Sequence, residues 1–377
     1  LEISNFRGIK ELKLDFPGQV CVLVGINGSG KSAILDCMAI MLSRLVRKIR
    51  SSKGTGRMFV ETDISNGKAD TGNTISVTFK GRKGKPTEWS VYKRRRGRRA
   101  QTISNLSELN EIVDMFLSKL EQNKNADLPL AVYYPVHRTV LDIPLRIRKK
   151  HPFDQLSAYD QTLSGARSSF RVLFEWFRER EDLENEMRLK NHDFRDIQLQ
   201  AVRNAISLIL PGFKGLRVKR SPLRMVVKKH GNELIVNQLS DGEKCTLAMI
   251  GDLARRMAIA NPSLNNPLDG KGVVLIDEID LHLHPSWQRN IIAGLKKVFP
   301  KCQFILSTHR PIIISHIEPS SVWLLEKTAS GVEAKHPDGA YGLESGRILE
   351  DLMGVSARPQ EIKKKLSTLF RTIEQGE

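Results

Sequence analysis

Gly25 to Ser32 read GINGSGKS, directly behind the apolar, β-branched run Val20-Cys21-Val22-Leu23-Val24. No other stretch restricts the fold so tightly. A strand that ends in G-x-x-x-x-G-K-S and enters a helix makes a loop whose backbone N–H groups, together with the helix N-terminus, face bound phosphate. Ile34, Leu35, Met38, Leu42, Leu45 and Val46 follow at helical spacing, so strand, loop and helix come in the required order. The residues expected at the phosphates are Gly25, Asn27, Gly28, Ser29, Gly30, Lys31, Ser32 and Ala33. Lys31 would bring a cation to the phosphates, and Ser32 a hydroxyl to Mg²⁺.

With 377 residues the chain can bury a core of one large or two ordinary domains. Its composition, 40% hydrophobic and 27% charged, is ordinary for a water-soluble protein. No run approaches 18 apolar residues and no signal-peptide pattern opens the chain, so a cytoplasmic protein without a membrane partner is expected. Cys21, Cys37, Cys245 and Cys302 stand singly, which argues against a disulfide framework or a zinc site and fits a reducing compartment. The sequence opens at Leu1 within a strand pattern and closes within a helical one, as expected of part of a longer protein.

Lys and Arg outnumber Asp and Glu by 60 to 42, a net charge of +18 that favours polyanionic partners, nucleic acid among them. Part of the excess is local, since six of the seven residues from Lys93 to Arg99 are basic. Two readings stand for that cluster. It is either a solvated hairpin edge or a nucleic-acid contact, to which Lys80, Arg82, Lys83 and Lys85 would add.

Leu1 to Phe16 alternates as a hairpin around Asn5-Phe6-Arg7-Gly8. Strands are expected at Thr74 to Lys80 and Glu88 to Arg94, a helix at Ser107 to Leu120, and a buried strand at Leu128 to Pro135. Asp154 to Leu210 reads as helical, with apolar residues among alternating charges, until Pro211-Gly212 stops it. Short strands then return at Leu216 to Lys219, Arg224 to Lys229 and Leu234 to Val236. Farther on, Ser321 to Glu326 is read as a strand, and helices are expected within Ala340 to Val355 and from Pro359 to Ile373. The last of these is amphipathic without an evident partner.

Three later motifs carry chemistry. Leu239-Ser240-Asp241-Gly242-Glu243 stands before a helix, either as a second anion site or as an N-cap with its capping acid. Gly272 to Glu278 is an apolar strand closing on two carboxylates, suited to a metal-orienting Asp277 and a general base Glu278. Gln303 to His309 is a further strand that ends in a lone histidine. His282 and His284 read as a metal pair or as part of a contact loop beginning at Asp280.

In this order the motifs resemble those of ABC-type ATPases of the RecF and SMC kind, and the opening N-F-R-G stands where that family has it. The resemblance implies a mixed α/β P-loop fold with a small antiparallel layer, ATP and Mg²⁺ as cofactors, and ATP hydrolysis. It implies a first lobe at 1–153, a helical insertion at 154–211 and a second lobe at 212–377. It places Arg7 near the nucleotide, makes Glu278, His309 and Lys31 catalytic, and gives Ser32 and Asp277 to the metal. Ser240, Gly242 and Glu243 would form the signature and face the nucleotide of a second copy in a head-to-tail homodimer, with the Asp280 loop touching that copy. The signature departs from the usual L-S-G-G-E at Asp241. No glutamine stands where the family's Mg²⁺-sensing loop would follow the Leu128 to Pro135 strand, leaving His137 or Arg138 in a sensing or a structural role.

The wording IDEIDLHLHPSWQRN is similar to the ABC-type ATPases of bacterial defence operons, and VYYPVHRTVLDIPLRI and EWFREREDLENE resemble the PtuA ATPases of Septu and of related retron antiphage systems. That likeness implies an HNH nuclease partner of the PtuB kind and, in retron versions, a reverse transcriptase with its msDNA. A RecF-like repair ATPase that clamps DNA is the alternative.

Overall fold

A computed structural model describes residues 1–51, 53–79, 85–97, 103–137, 153–164, 170–281, 283–328, 331–337 and 360–374, with Gly339, Gly342, Arg347 and Glu350 as single positions. The opening hairpin joins β1 (Glu2–Phe6) to β2 (Ile9–Lys13), and its tight turn holds Asn5 and Arg7 at φ 53° and 50°. Strand β3 (Val20–Val24) is buried at every position and runs through the phosphate loop into α1 (Lys31–Arg50). The six residues of α1 that recur at helical spacing are all buried. β4 (Asp70–Thr78) and β5 (Pro86–Arg94) follow, each starting before its expected first residue, and complete a four-stranded antiparallel sheet in the order β2-β1-β4-β5. Trp89 of β5 donates its indole N–H to the Met41 carbonyl at 3.1 Å, fixing this layer to α1.

After α2 (Ser107–Gln122) comes β6 (Leu130–Tyr134), again buried throughout. The charged stretch forms α3 (Phe170–Arg188) and α4 (Ile197–Ile209), and Gly212 then leaves α4 at φ 85°. β7 (Phe213–Arg220), β8 (Leu223–Lys229) and β9 (Asn232–Ile235) make a separate three-stranded antiparallel sheet. Helix α5 (Asp241–Ala260) is buried on all sides from Thr246 onward. Gly251 lets α3 and α4 close on it, since a Cβ there would lie 2.6 Å from Leu173 Cδ2 and 3.7 Å from Ile206 Cδ1. The chain continues through β10 (Gly272–Ile276), α6 (Pro285–Val298), β11 (Cys302–Thr308), the single turn α7 (Pro311–Ile314), β12 (Val322–Thr328) and β13 (Gly331–Lys335).

These strands build a mixed sheet in the order β13-β12-β3-β11-β10-β6, parallel except for the β12–β13 pair. Uninterrupted apolar strands are what a parallel sheet covered on both faces requires. The expected strand at 321–326 continues to Thr328 and turns back as β13, a partner the reading of that stretch omits. Helix α8 (Gln360–Glu374) matches the expected last helix, whereas the expectation for 340–355 lies outside the described residues apart from three single positions. Among the described residues no helix is long and apolar enough to cross a membrane.

Candidate functional site

The parallel registers set the ends of four strands side by side, pairing Val24 with Thr308, Leu306 with Ile276, and Ile276 with Tyr134. Gly25, His309, Asp277 and Pro135 therefore leave from one edge, the carboxyl end of a parallel sheet, where such folds bind ligands. Asn27 and Gly28 are exposed and Ala33 is half-buried along the phosphate loop. Only glycine fits at position 25, where a Cβ would lie 2.6 Å from the Leu325 carbonyl oxygen. Gly30 precedes α1 at φ 99°, a left-handed backbone that glycine adopts freely.

Lys31 is 6% exposed and folds its ammonium onto the carbonyls of Gly25 and Ile26, at 2.7 and 2.9 Å. Burial lowers its pKa, against the opposing charges of Asp277, Glu278 and Asp280. Ser29 Oγ is buried without a hydrogen-bond partner. Helix α1 begins with no side-chain cap and no acidic residue in its first turn, and Ser32 is exposed there. Uncapped N–H donors, a buried hydroxyl and an adjacent ammonium fit a polyphosphate.

Opposite this loop, Asp277 is buried and accepts the Ser307 hydroxyl. Its own amide donates to the Tyr134 carbonyl at 2.9 Å. The amide of Glu278 donates to the same Ser307 Oγ at 2.8 Å, and Glu278 itself sits at φ 47°, a backbone that is strained for a non-glycine residue. One buried carboxylate, Asp277, and one hydroxyl, Ser32 at the start of α1, make a donor set of the kind that suits Mg²⁺ also bound to phosphate. His309 is half-buried, and its Nδ1 is buried without a partner.

Asp280 opens the loop expected to touch a second copy. Its carboxylate is 3% exposed and held within its own chain, accepting the Thr308 hydroxyl at 2.5 Å and facing Arg310 Nε at 3.4 Å. His284 caps α6, its Nδ1 3.3 Å from the Ser286 amide, while His282 lies outside the described residues. His137 is exposed just beyond β6, and Arg138 lies outside the described residues.

At α5 the capping box forms in full: the Glu243 amide donates to Ser240 Oγ at 3.4 Å and the Ser240 amide to Glu243 Oε2 at 3.0 Å. Ser240 is exposed and Gly242 buried. Burial pushes the Glu243 carboxyl up, but Lys229, 2.5 Å away, and the Ser240 amide outweigh it and hold it below its ordinary value. Arg7 pairs with Asp36 of α1 and, at 2.9 Å, with Asp63, while Arg57 reaches the other Asp36 oxygen at 2.8 Å.

In the basic cluster, Arg95 gives its guanidinium to the carbonyls of Lys68 and Ile64, at 3.0 and 3.3 Å. Arg94, Arg96 and Lys85 are exposed, and Lys80, Arg82, Lys83, Arg98 and Arg99 lie outside the described residues. Sequence reasoning missed Ser307 and Thr308 as holders of the acidic residues, although both adjoin His309 in the S-T-H string. It also missed a buried network in which Tyr134 Oη donates to Asp252 at 3.0 Å, and Arg255 and Arg256 reach the same carboxylate at 2.8 and 2.7 Å.

Residues 20–315 match a family described as "AAA domain, putative AbiEii toxin, Type IV TA system". The chain is 32% identical to the retron Ec83 probable ATPase of Escherichia coli, over 96% of this chain and 77% of that protein. It is 29% identical to the retron Vc95 probable ATPase of Vibrio cholerae, over 87% of this chain and 73% of that protein. With Septu protein PtuA of Bacillus thuringiensis it shares 24% identity over 94% of this chain and 83% of the relative. The SMC head bound to the winged-helix domain of ScpA superposes with a TM-score of 0.50 at 16% identity, covering 89% of this chain and 97% of that one. An Smc head with an extended coiled coil, bound to ScpA derived from Pyrococcus furiosus, gives a TM-score of 0.51 at 15% identity, covering 89% and 95%. These two likenesses bear out the fold class, a P-loop ATPase of SMC-head type, and the relatives bear out the resemblance to retron and Septu ATPases.

Proposed function

The chain belongs to this AAA-domain family and is an ATP-hydrolysing enzyme, and from that premise we propose that it is the ATPase of a retron- or Septu-type antiphage complex. It works as a head-to-tail dimer that governs a partner nuclease of the HNH kind. The observation that carries this reading is a division of labour. Lys31, Asp277, Glu278 and His309 gather on one sheet edge, while Ser240, at the capped start of α5, is exposed and can meet a ligand held by another copy.

In the catalytic cycle Lys31 exchanges the carbonyls of Gly25 and Ile26 for phosphate oxygens, and the first N–H groups of α1 turn to the same anion. Ser32 and Asp277 would hold Mg²⁺, which would supply positive charge against the phosphate oxygens. Glu278 takes a proton from water as its oxygen attacks the γ-phosphorus and the bond to the bridging oxygen of ADP breaks. His309 reaches the γ-phosphate from the neighbouring strand. Ser240 and Gly242 of one copy complete the site of the other, with Glu243 keeping the helix end in shape. Arg7, tied to Asp36 on α1, steadies the helix that carries Lys31.

In this reading the partner does the cutting, and a reverse transcriptase with msDNA accompanies it in a retron version. Purification of the complete complex, with mass spectrometry of what stays attached, tests this. An HNH nuclease is expected. Stable DNA clamping by the ATPase alone would favour the RecF-like alternative.

A further inference from the structure

Seven basic residues lie between Phe213 and Ile235, where Glu233 is the sole acid. The strand registers sort them by face. Lys214 stands opposite Lys228, Lys219 opposite Arg224, and Arg217 opposite Val226, which puts five cations on the side of the sheet turned away from the core. The inner side carries Leu216, Val218, Met225 and Val227, all buried. Two like-charged pairs directly across an antiparallel ladder repel each other. Glu233 relieves only part of that repulsion, taking Arg217 at 2.6 Å and Lys219. Lys214, Arg224 and Lys228 have no carboxylate partner among the described residues, and Arg224 Nε is buried with no hydrogen bond.

From this arrangement we infer that the outer face of β7-β8-β9 binds the phosphate backbone of nucleic acid. This deepens the functional reading above, on whose nucleic-acid partner it rests. The face presents unpaired donors in rows and carries net positive charge, the pattern of a backbone contact rather than of base readout. It competes for that role with the cluster at residues 93–99, whose Arg95 is spent on main-chain carbonyls. The face also adjoins the ATPase machinery. Lys228 points outward, while the next residue, Lys229, reaches through to Glu243 in the cap of α5. Backbone phosphates on Lys228 therefore sit one residue from the helix start that would face a second copy's nucleotide.

The test uses the full-length protein and fluorescent oligonucleotides, single-stranded and duplex, across a salt series. The variant Lys214→Gln/Arg224→Gln/Lys228→Gln should bind at least about 10-fold more weakly. Its log–log salt slope should flatten by about 2–3, from three lost contacts at roughly 0.7 to 0.9 each. Basal ATP turnover should stay at the wild-type rate, and Lys214→Arg/Lys228→Arg should bind as the wild type does. Arg94→Gln/Arg96→Gln should leave the slope unchanged. A triple variant with wild-type affinity and slope overturns this assignment while leaving the nucleic-acid partner intact, as does a slope lost only in the Arg94/Arg96 variant. A wild-type protein that binds neither oligonucleotide, or binds only an acidic protein on this face, overturns both.

Discussion

Ser307 donates its hydroxyl to Asp277 and so ties the end of the strand carrying His309 to the acidic strand beside it. The same oxygen accepts the Glu278 amide at 2.8 Å. One side chain thus holds both the Asp277 carboxylate and the strained backbone of Glu278, the residues proposed to face the metal and to act as the base.

Ser307→Ala should therefore lower kcat for ATP hydrolysis by about 10–100-fold, the usual scale for a residue that orients a metal ligand, with little change in KM. Ser307→Thr, which keeps the hydroxyl, should recover most of the rate. Steady-state kinetics on the two variants checks this, and equal rates for Ala and wild type would remove Ser307 from the site.

Glu278→Gln keeps the side-chain shape and removes the proposed base. Hydrolysis should fall by roughly 10²–10⁴-fold while ATP still binds, so ATP-bound dimers should accumulate. Size-exclusion chromatography with light scattering, with and without ATP, reads the outcome. Unchanged turnover would exclude Glu278 as the base.

Asp252 gives a pH prediction. Burial alone would raise its carboxyl, but Arg256 and Arg255 outweigh burial and hold it at about 2. A folded-state value below the unfolded value of about 4 contributes stability that is full above pH 4 and is lost as pH falls toward 2. Chemical denaturation across that window should show the loss. Asp252→Asn should flatten this part of the profile and cost about 3–5 kcal/mol at neutral pH, because two buried guanidinium groups lose their counter-charge.

Local patterns made much of this protein legible. The glycine loop, the all-apolar strands and the S-x-G-E cap act over a few residues, so each appears in the sequence as a string. What was not legible depends on contacts across the fold. Ser307 meets Asp277 across 30 residues and Tyr134 meets Asp252 across 118, and neither pairing leaves a periodic trace. Asp280 illustrates the same limit. Thr308, which ends the next strand, and Arg310, just past it, hold its carboxylate inward, and those contacts leave no trace in the string around it. The basic sheet leaves no such string because its cations are interleaved with apolar residues along β7 and β8, whereas six of the seven residues from Lys93 to Arg99 are basic.

The head-to-tail arrangement is tested most directly by mixing two variants, each inactive alone. Lys31→Ala removes the phosphate cation from its own loop, and Ser240→Arg blocks the helix end offered to the other copy. A mixed dimer of the two retains one intact site. Half of randomly paired dimers are mixed, so ATPase activity should return to roughly a quarter of the wild-type level, as expected for a symmetric two-site dimer. A mixture no more active than its parts, or full activity in Ser240→Arg alone, would contradict the shared site.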